Sequence, residues 1–151
     1  MERETTFEVG EDPSLLLLDD DEPFLRRLTR AMEKRGFKPT AAMTVAEGRT
    51  IAVTRPPAYA VVDLRLEDGN GLDVVEALRE RRPDCRIVVL TGYGAIATAV
   101  AAVKFGATDY IAKPADANDI TSALLTKAEA KPAPPENPMS ADRVRWEHIQ
   151  R

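Results

Sequence analysis

The sequence of 151 residues contains one cysteine and one histidine. A single cysteine excludes an internal disulfide and gives an oxidising compartment no support. For Cys85 the plainer reading is a small buried hydrophobe, with a redox role as the alternative. His148 has no Cys or His partner at metal-ligand spacing, so it reads as a surface residue rather than a zinc ligand. No apolar run approaches the roughly 20 residues that a membrane helix requires. The acidic start, with Glu2, Glu4, Glu8, Glu11 and Asp12, lacks the basic region and apolar core of a signal peptide. A cytoplasmic protein with no membrane contact is the expectation. Positive charge is not in excess either: a net charge of −4 argues against the chain as a whole hugging nucleic acid. What remains is ordinary soluble composition, 44% hydrophobic and 30% charged, in a length that suits one compact domain of roughly 100 to 150 residues plus tails.

The pattern along the chain alternates short apolar runs with helical stripes. Residues 1–13 are polar, acidic and aperiodic, and read as a flexible tail. Ser14 to Leu18 is too apolar for a half-exposed strand and suits one buried on both faces, and it runs into Asp19. Phe24, Leu25, Leu28, Ala31 and Met32 stripe one face of a helix that Gly36 ends. Lys38 to Ala41 supplies a short strand. Thr44 and Glu47 form a capping-box pair opening a helix with Val45, Ala46 and Ile51 on its apolar face, stopped by Arg55-Pro56-Pro57. Tyr59 to Val62 is the next strand and ends at Asp63; Asp68-Gly69-Asn70-Gly71 reads as a turn; Leu72, Val75 and Leu78 stripe a third helix ending before Pro83. Ile87 to Leu90 runs into Thr91-Gly92-Tyr93-Gly94, followed by a small-residue helix from about Ala95 to Phe105 with Gly106 past its end. Asp109 to Ala112 precedes Lys113-Pro114, and a last helix carries Ile120, Leu124 and Leu125. Five strand-then-helix units imply a parallel sheet covered on both faces, a doubly wound α/β fold, because parallel strands need crossover helices.

In such sheets the functional site forms outside the carboxyl ends of the strands. Those ends here deliver Asp19 and Asp20, then Asp63, Thr91 and Lys113. Crowded carboxylates repel one another unless they protonate or share a cation, and hard oxygen ligands with open positions suit Mg²⁺. Thr91 and Lys113 are suited to the remaining oxygens of a phosphoryl group. Asp63, alone at its strand end while Asp19 and Asp20 form a pair, is the natural nucleophile, and its product is an aspartyl phosphate. Asp21 and Glu22 read as first-turn helix charges, favourable toward the helix dipole.

The acidic pair, the lone Asp, the Thr and the Lys-Pro, in this order and with intervals of 28 from Asp63 to Thr91 and 22 from Thr91 to Lys113, resemble the receiver domains of response regulators. The likeness spans about Ser14 to Lys127. It implies a flavodoxin-like, CheY-like (βα)5 fold with a five-stranded parallel sheet in the order 2-1-3-4-5. It also implies phosphorylation at Asp63, Mg²⁺ held by Asp19, Asp20, Asp63 and the backbone carbonyl of Arg65, and phosphoryl binding by Thr91 and Lys113. A switch follows in which Thr91 moves toward the phosphate and Tyr110 takes the vacated space, as does a cis Lys113-Pro114 bond. Tyr110 by itself is equally compatible with ordinary packing. Two departures stand out. Glu67 replaces the family's usual proline, so a looser or more acidic loop after Asp63 is expected. Arg65 and Tyr93 are large where the family tunes phosphate lifetime, so a moderately long-lived phosphoryl group is expected.

Lys131 to Pro138, with four prolines in eight residues, reads as a stiff linker between a receiver over 14–130 and a segment over 139–151 that begins another helix. Linker and segment together resemble the RegA/PrrA/ActR group of proteobacterial redox-responsive regulators. That likeness implies a partner sensor histidine kinase of the RegB/PrrB type, a redox or oxygen signal, and a Fis-like helix-turn-helix of which 139–151 is the first part. DNA would be bound through that module rather than through the receiver, and a phosphorylation-dependent homodimer is compatible with it. The chain is then a phosphoacceptor and not an enzyme in its own right. Rival readings fit less well. An aspartyl-phosphate phosphohydrolase needs a second Asp two positions after its nucleophile, where Arg65 stands. A nucleotide or flavin binder needs a glycine-rich first loop, where Asp19-Asp20-Asp21-Glu22 stands. A stand-alone interaction module would have no use for the intact acceptor set.

Overall fold

The structure is a computed structural model that describes residues 9–66, 68–92 and 96–125. Within them β1 (Ser14–Leu18), α1 (Glu22–Lys34), β2 (Lys38–Ala42), α2 (Val45–Thr54) and β3 (Tyr59–Asp63) follow in order. A two-residue antiparallel ladder, β4 (Arg65–Leu66) with β5 (Gly69–Asn70), leads through the predicted turn, and α3 (Leu72–Arg81), β6 (Arg86–Thr91), α4 (Ile96–Lys104), β7 (Asp109–Ala112) and α5 (Ala117–Leu125) follow within the described residues. The sheet runs β2-β1-β3-β6-β7, all parallel. Counting only its own members, the order is 2-1-3-4-5, as the resemblance implied.

The pleat splits the strands' side chains between two cores. Leu15, Leu17, Val61, Val88 and Leu90 face α1 and α5, where Leu25, Leu28, Met32, Ile120 and Leu124 meet them. Leu16, Leu18, Val62 and Val89 face the other way, toward Val74, Val75 and Leu78 of α3, Ala52 of α2 and Ala102 of α4. Such two-sided burial is why the inner strands β1, β3 and β6 are nearly continuously apolar instead of alternating. Gly36 and Gly106 end α1 and α4 at φ of +98° and +122°, as the sequence led us to expect.

Three local expectations are corrected. Residues 9–13 are not a loose tail: the Gly10 amide donates to Tyr59 Oη at 3.1 Å, Asp12 pairs with Arg82 at 2.9 Å, and the Lys38 amide donates to the Pro13 carbonyl at 2.9 Å. Hydrogen bonds from Ser14 and Arg82 hold the Asp12 carboxyl down at about 2. The buried face of α2 is Val45, Gly48 and Ala52, while Ala46 is exposed. The helix lies so close to β1 that a Cβ on Gly48 would stand 2.9 Å from Leu18 Cδ2. The capping box is also offset. Thr44 Oγ1 accepts from the Glu47 amide at 3.0 Å, but Glu47 Oε1 accepts from Met43 at 2.8 Å instead of from Thr44. The predicted linker 131–138, the segment 139–151, His148, Glu67 and Tyr93 lie outside the described residues, as do 1–8.

Gly71 is the closest approach in the fold, since a Cβ there would sit 2.4 Å from the Asp63 carbonyl oxygen and 2.8 Å from Val62 Cγ1. Gly71→Ala should therefore lower the unfolding free energy by about 1–3 kcal/mol through overpacking, measured by urea denaturation. Wild-type stability in that variant would contradict the packing described.

Candidate functional site

The register of the parallel sheet decides which strand ends meet. Leu18 pairs with Val62, so Asp19 and Asp63 follow side by side. Asp63 pairs with Leu90, and Thr91 one step further pairs with Ala112, immediately before Lys113. The Lys113 amide donates to the Thr91 carbonyl at 2.8 Å and keeps the two strand ends together. The Lys113-Pro114 bond is cis.

At this edge Lys113 Nζ lies 3.0 Å from Asp19 Oδ2 and 3.2 Å from Asp63 Oδ2. Both carboxylates are nearly sealed, at 2% and 5% exposure. Their other oxygens are held by backbone: Asp63 Oδ1 accepts from the Arg65 amide at 3.1 Å, and Asp19 Oδ1 accepts from the Asp21 amide at 2.8 Å. Asp21 itself caps α1, accepting from the Phe24 amide at 3.2 Å, which fits its reading as a helix-start charge. Burial pushes the Asp63 carboxyl above its ordinary range, with the Asp19 charge adding to the rise, while the Arg65 amide and Lys113 oppose it. Burial works against the charge on Lys113, but its hydrogen bond to Asp19 and the attraction of both carboxylates outweigh that and raise its pKa. Phe24, read from the sequence only as part of a helix stripe, has a second role, because Lys113 Nζ lies 5.2 Å from its ring centroid. The aromatic face gives the ammonium a further favourable contact. No sequence signal separates this Phe from its neighbours on the stripe.

The residues present fit a divalent cation. Carboxylate oxygens of Asp19, Asp20 and Asp63 lie within 4.8 Å of one another, an all-oxygen donor set facing one ammonium. Thr91 adds a second indication: its hydroxyl is fully buried and has no hydrogen-bond partner among the described protein atoms. A buried hydroxyl of this kind is costly unless it serves a bound group. Thr91 and Tyr110 lie on the same side of the sheet by the pleat, since Tyr110 pairs with Val89, two before Thr91, and Tyr110 packs on the core facing α2 and α3. Arg65 is exposed, two residues beyond Asp63. A cavity of about 290 Å³, lined by Asp12, Ser14, Thr40, Arg55 and their neighbours, opens near the start of β1 and contains none of these residues. The carboxylate site lies at the other end of the sheet.

Comparison with known proteins agrees with this geometry. The family described as response regulator receiver domain matches residues 15–125. The photosynthetic apparatus regulatory protein RegA of Rhodovulum sulfidophilum is 79% identical over 98% of this chain and 81% of its own length. The acid tolerance regulatory protein ActR of Rhizobium meliloti is 66% identical over 95% of this chain and 74% of its own. A crystal structure of a response regulator from Burkholderia pseudomallei, with a phosphorylated aspartic acid, calcium ion and citrate, superposes with a TM-score of 0.74 at 38% identity, covering 92% of this chain and 82% of that one. Among the described residues no helix is long and apolar enough to cross a membrane.

Two measurements test the electrostatics. Because the folded pKa of Asp63 is raised, its carboxyl favours the fold at low pH and that contribution is lost as pH rises through the raised value. At neutral pH without divalent cation, Asp63→Asn should therefore melt higher than wild type by about 4 °C, on the order of 1 kcal/mol, and added Mg²⁺ should narrow the gap by stabilising wild type. A lower melting point for Asp63→Asn in chelator would contradict the burial argument. Cys85 is 2% exposed and burial pushes its thiol up to about 12, so the folded protein at pH 8 should leave Cys85 unmodified by a thiol-disulfide reagent that reacts at once in denaturant.

Proposed function

The chain belongs to the response regulator receiver family, in the group of RegA and ActR, and from that membership we propose that it accepts a phosphoryl group on Asp63 from a partner sensor histidine kinase. The observation that carries the reading is one nearly sealed nucleophile, Asp63, oriented by the Arg65 amide and Lys113 beside Asp19, with the buried Thr91 hydroxyl on the neighbouring strand end.

Asp19, Asp20 and Asp63, with the carbonyl of Arg65, would hold Mg²⁺. When bound, the ion offsets the charge of the carboxylates and of the incoming phosphoryl oxygens. The protein's own residues do the rest. A carboxylate oxygen of Asp63 forms the new bond to phosphorus as the bond from phosphorus to the donor's imidazole nitrogen breaks, and the freed imidazole takes its proton from water. Lys113, already turned toward Asp63, exchanges one carboxylate contact for a phosphoryl oxygen, and the Thr91 hydroxyl gains an acceptor that it lacks among the described residues. Movement of Thr91 toward the new group frees space on the side of the sheet that Tyr110 shares, which would alter the surface of α4, β7 and α5. Phosphorylation adds about 1.5 to 2 negative charges, enough to bias a two-state element of this size.

The output of that change is control of a DNA-binding segment beginning after Pro138, with redox or oxygen state as the signal and a kinase of the RegB/PrrB type as the donor. The likeness to RegA and ActR supports this part. The protein is in this view a phosphoacceptor that assists its own modification, not an enzyme acting on a separate substrate.

Incubation with acetyl phosphate and Mg²⁺ should add the mass of one phosphoryl group to wild type and none to Asp63→Asn, read by intact-protein mass spectrometry. An unmodified wild type, or equal modification of the variant, would overturn the assignment. The modified form should persist for minutes or longer, and decay within seconds would show that Arg65 and Tyr93 do not shield it.

A further inference from the structure

We propose that Asp68 is a positioning residue for the acceptor site, clamping the loop after Asp63 onto the first turn of α2; this rests on the acceptor role of Asp63 argued above. The first turn of any helix leaves amides without intrahelical partners. In α2 the cap Thr44 satisfies one, the Glu47 amide. The amides of Val45 and Ala46 instead donate to Asp68, to Oδ1 at 2.8 Å and Oδ2 at 3.3 Å, from 23 and 22 positions away in the chain. Both carboxylate oxygens are thus committed to one helix end, and these backbone hydrogen bonds hold the Asp68 carboxyl below its ordinary range.

Water could serve those two amides, because the surface is exposed there. What water could not do is hold the loop. Asp68 stands at the tip of the β4–β5 ladder, between Leu66 and Gly69, and that ladder carries Arg65, whose amide fixes Asp63 Oδ1. The base of the loop is tied separately, by the Gly71 amide donating to the Leu64 carbonyl at 3.0 Å. Only the tip needs a further restraint. Arg65 is the residue whose placement depends on the clamp, through its amide toward Asp63 and the carbonyl that would serve Mg²⁺.

The test compares Asp68→Ala, Asp68→Asn and Thr44→Ala in the full chain. In chelator, hydrogen exchange at the amides of residues 65–70 should speed up in Asp68→Ala and not in Thr44→Ala. By calorimetric titration the Mg²⁺ dissociation constant of Asp68→Ala should rise roughly tenfold, in the range of other lost outer-shell contacts. Asp68→Asn keeps an acceptor for the shorter bond without the charge, and should stay within about threefold of wild type, a difference of less than ~1 kcal/mol. Thr44→Ala, which loses a cap on the same helix, should melt lower with unchanged Mg²⁺ affinity. Three results would overturn the proposal: exchange and affinity in Asp68→Ala equal to wild type; Asp68→Asn as weak as Asp68→Ala, which would make the effect one of charge; or Thr44→Ala weakening Mg²⁺ equally, which would make it one of helix stability. Failure of wild type to accept phosphate would count against the acceptor role alone, because exchange in chelator judges the clamp without it.

Discussion

One ammonium between two nearly sealed carboxylates is the interaction on which the rest of this site depends. Asp19 and Asp63 would repel each other across the end of a hydrophobic sheet if Lys113 Nζ did not lie 3.0 and 3.2 Å from them. Burial makes the repulsion costly because charge is poorly screened there, and it makes the attraction to Lys113 correspondingly strong. Even so, the Asp63 carboxyl remains raised, and Asp20 stands beside the pair. This buried imbalance is one that a divalent cation and a phosphoryl group together would shift. The same imbalance links the site's stability to its chemistry.

Everything around that centre reads as a means of holding it open. The five-stranded sheet packs on both sides, so its strand ends are fixed in register and cannot yield to the repulsion. Backbone amides of Arg65 and Asp21 take the outer oxygens of Asp63 and Asp19, and the Phe24 ring lies near Lys113. Gly71 allows α3 to begin directly against the Asp63 carbonyl. The exposed loop between them is joined to α2 through Asp68, which brings a helix of the opposite core into mechanical contact with the acceptor.

Much of this was legible before any coordinates. Apolar runs of four or five residues ending in Asp19, Asp63 and Thr91 identify buried parallel strands, because a half-exposed strand would alternate. The rule that parallel strands deliver their carboxyl ends to one edge then assembles the site. Helix α1 was legible from its stripe and α2 from its cap. The buried face of α2 was not, because Gly48 carries no hydrophobic signal and is buried only through the closeness of Leu18 and Val74. Residues 9–13 look like tail for a similar reason: a polar segment held by Tyr59, Arg82 and Lys38 leaves no periodicity behind.

The sequence by itself determined the fold class, the strand order through family likeness, and that Asp19, Asp20, Asp63, Thr91 and Lys113 stand at the strand ends of one sheet edge, because backbone hydrogen bonding and burial act on local patterns that the sequence records. Tertiary structure alone decided which carboxylate oxygen meets Lys113, that the Thr91 hydroxyl is buried without an acceptor among the described residues, that Phe24 flanks the ammonium, and that Asp68 caps a helix 23 residues away. Those are distances between residues far apart in the chain, set by how helices settle on a sheet, and no local pattern encodes them.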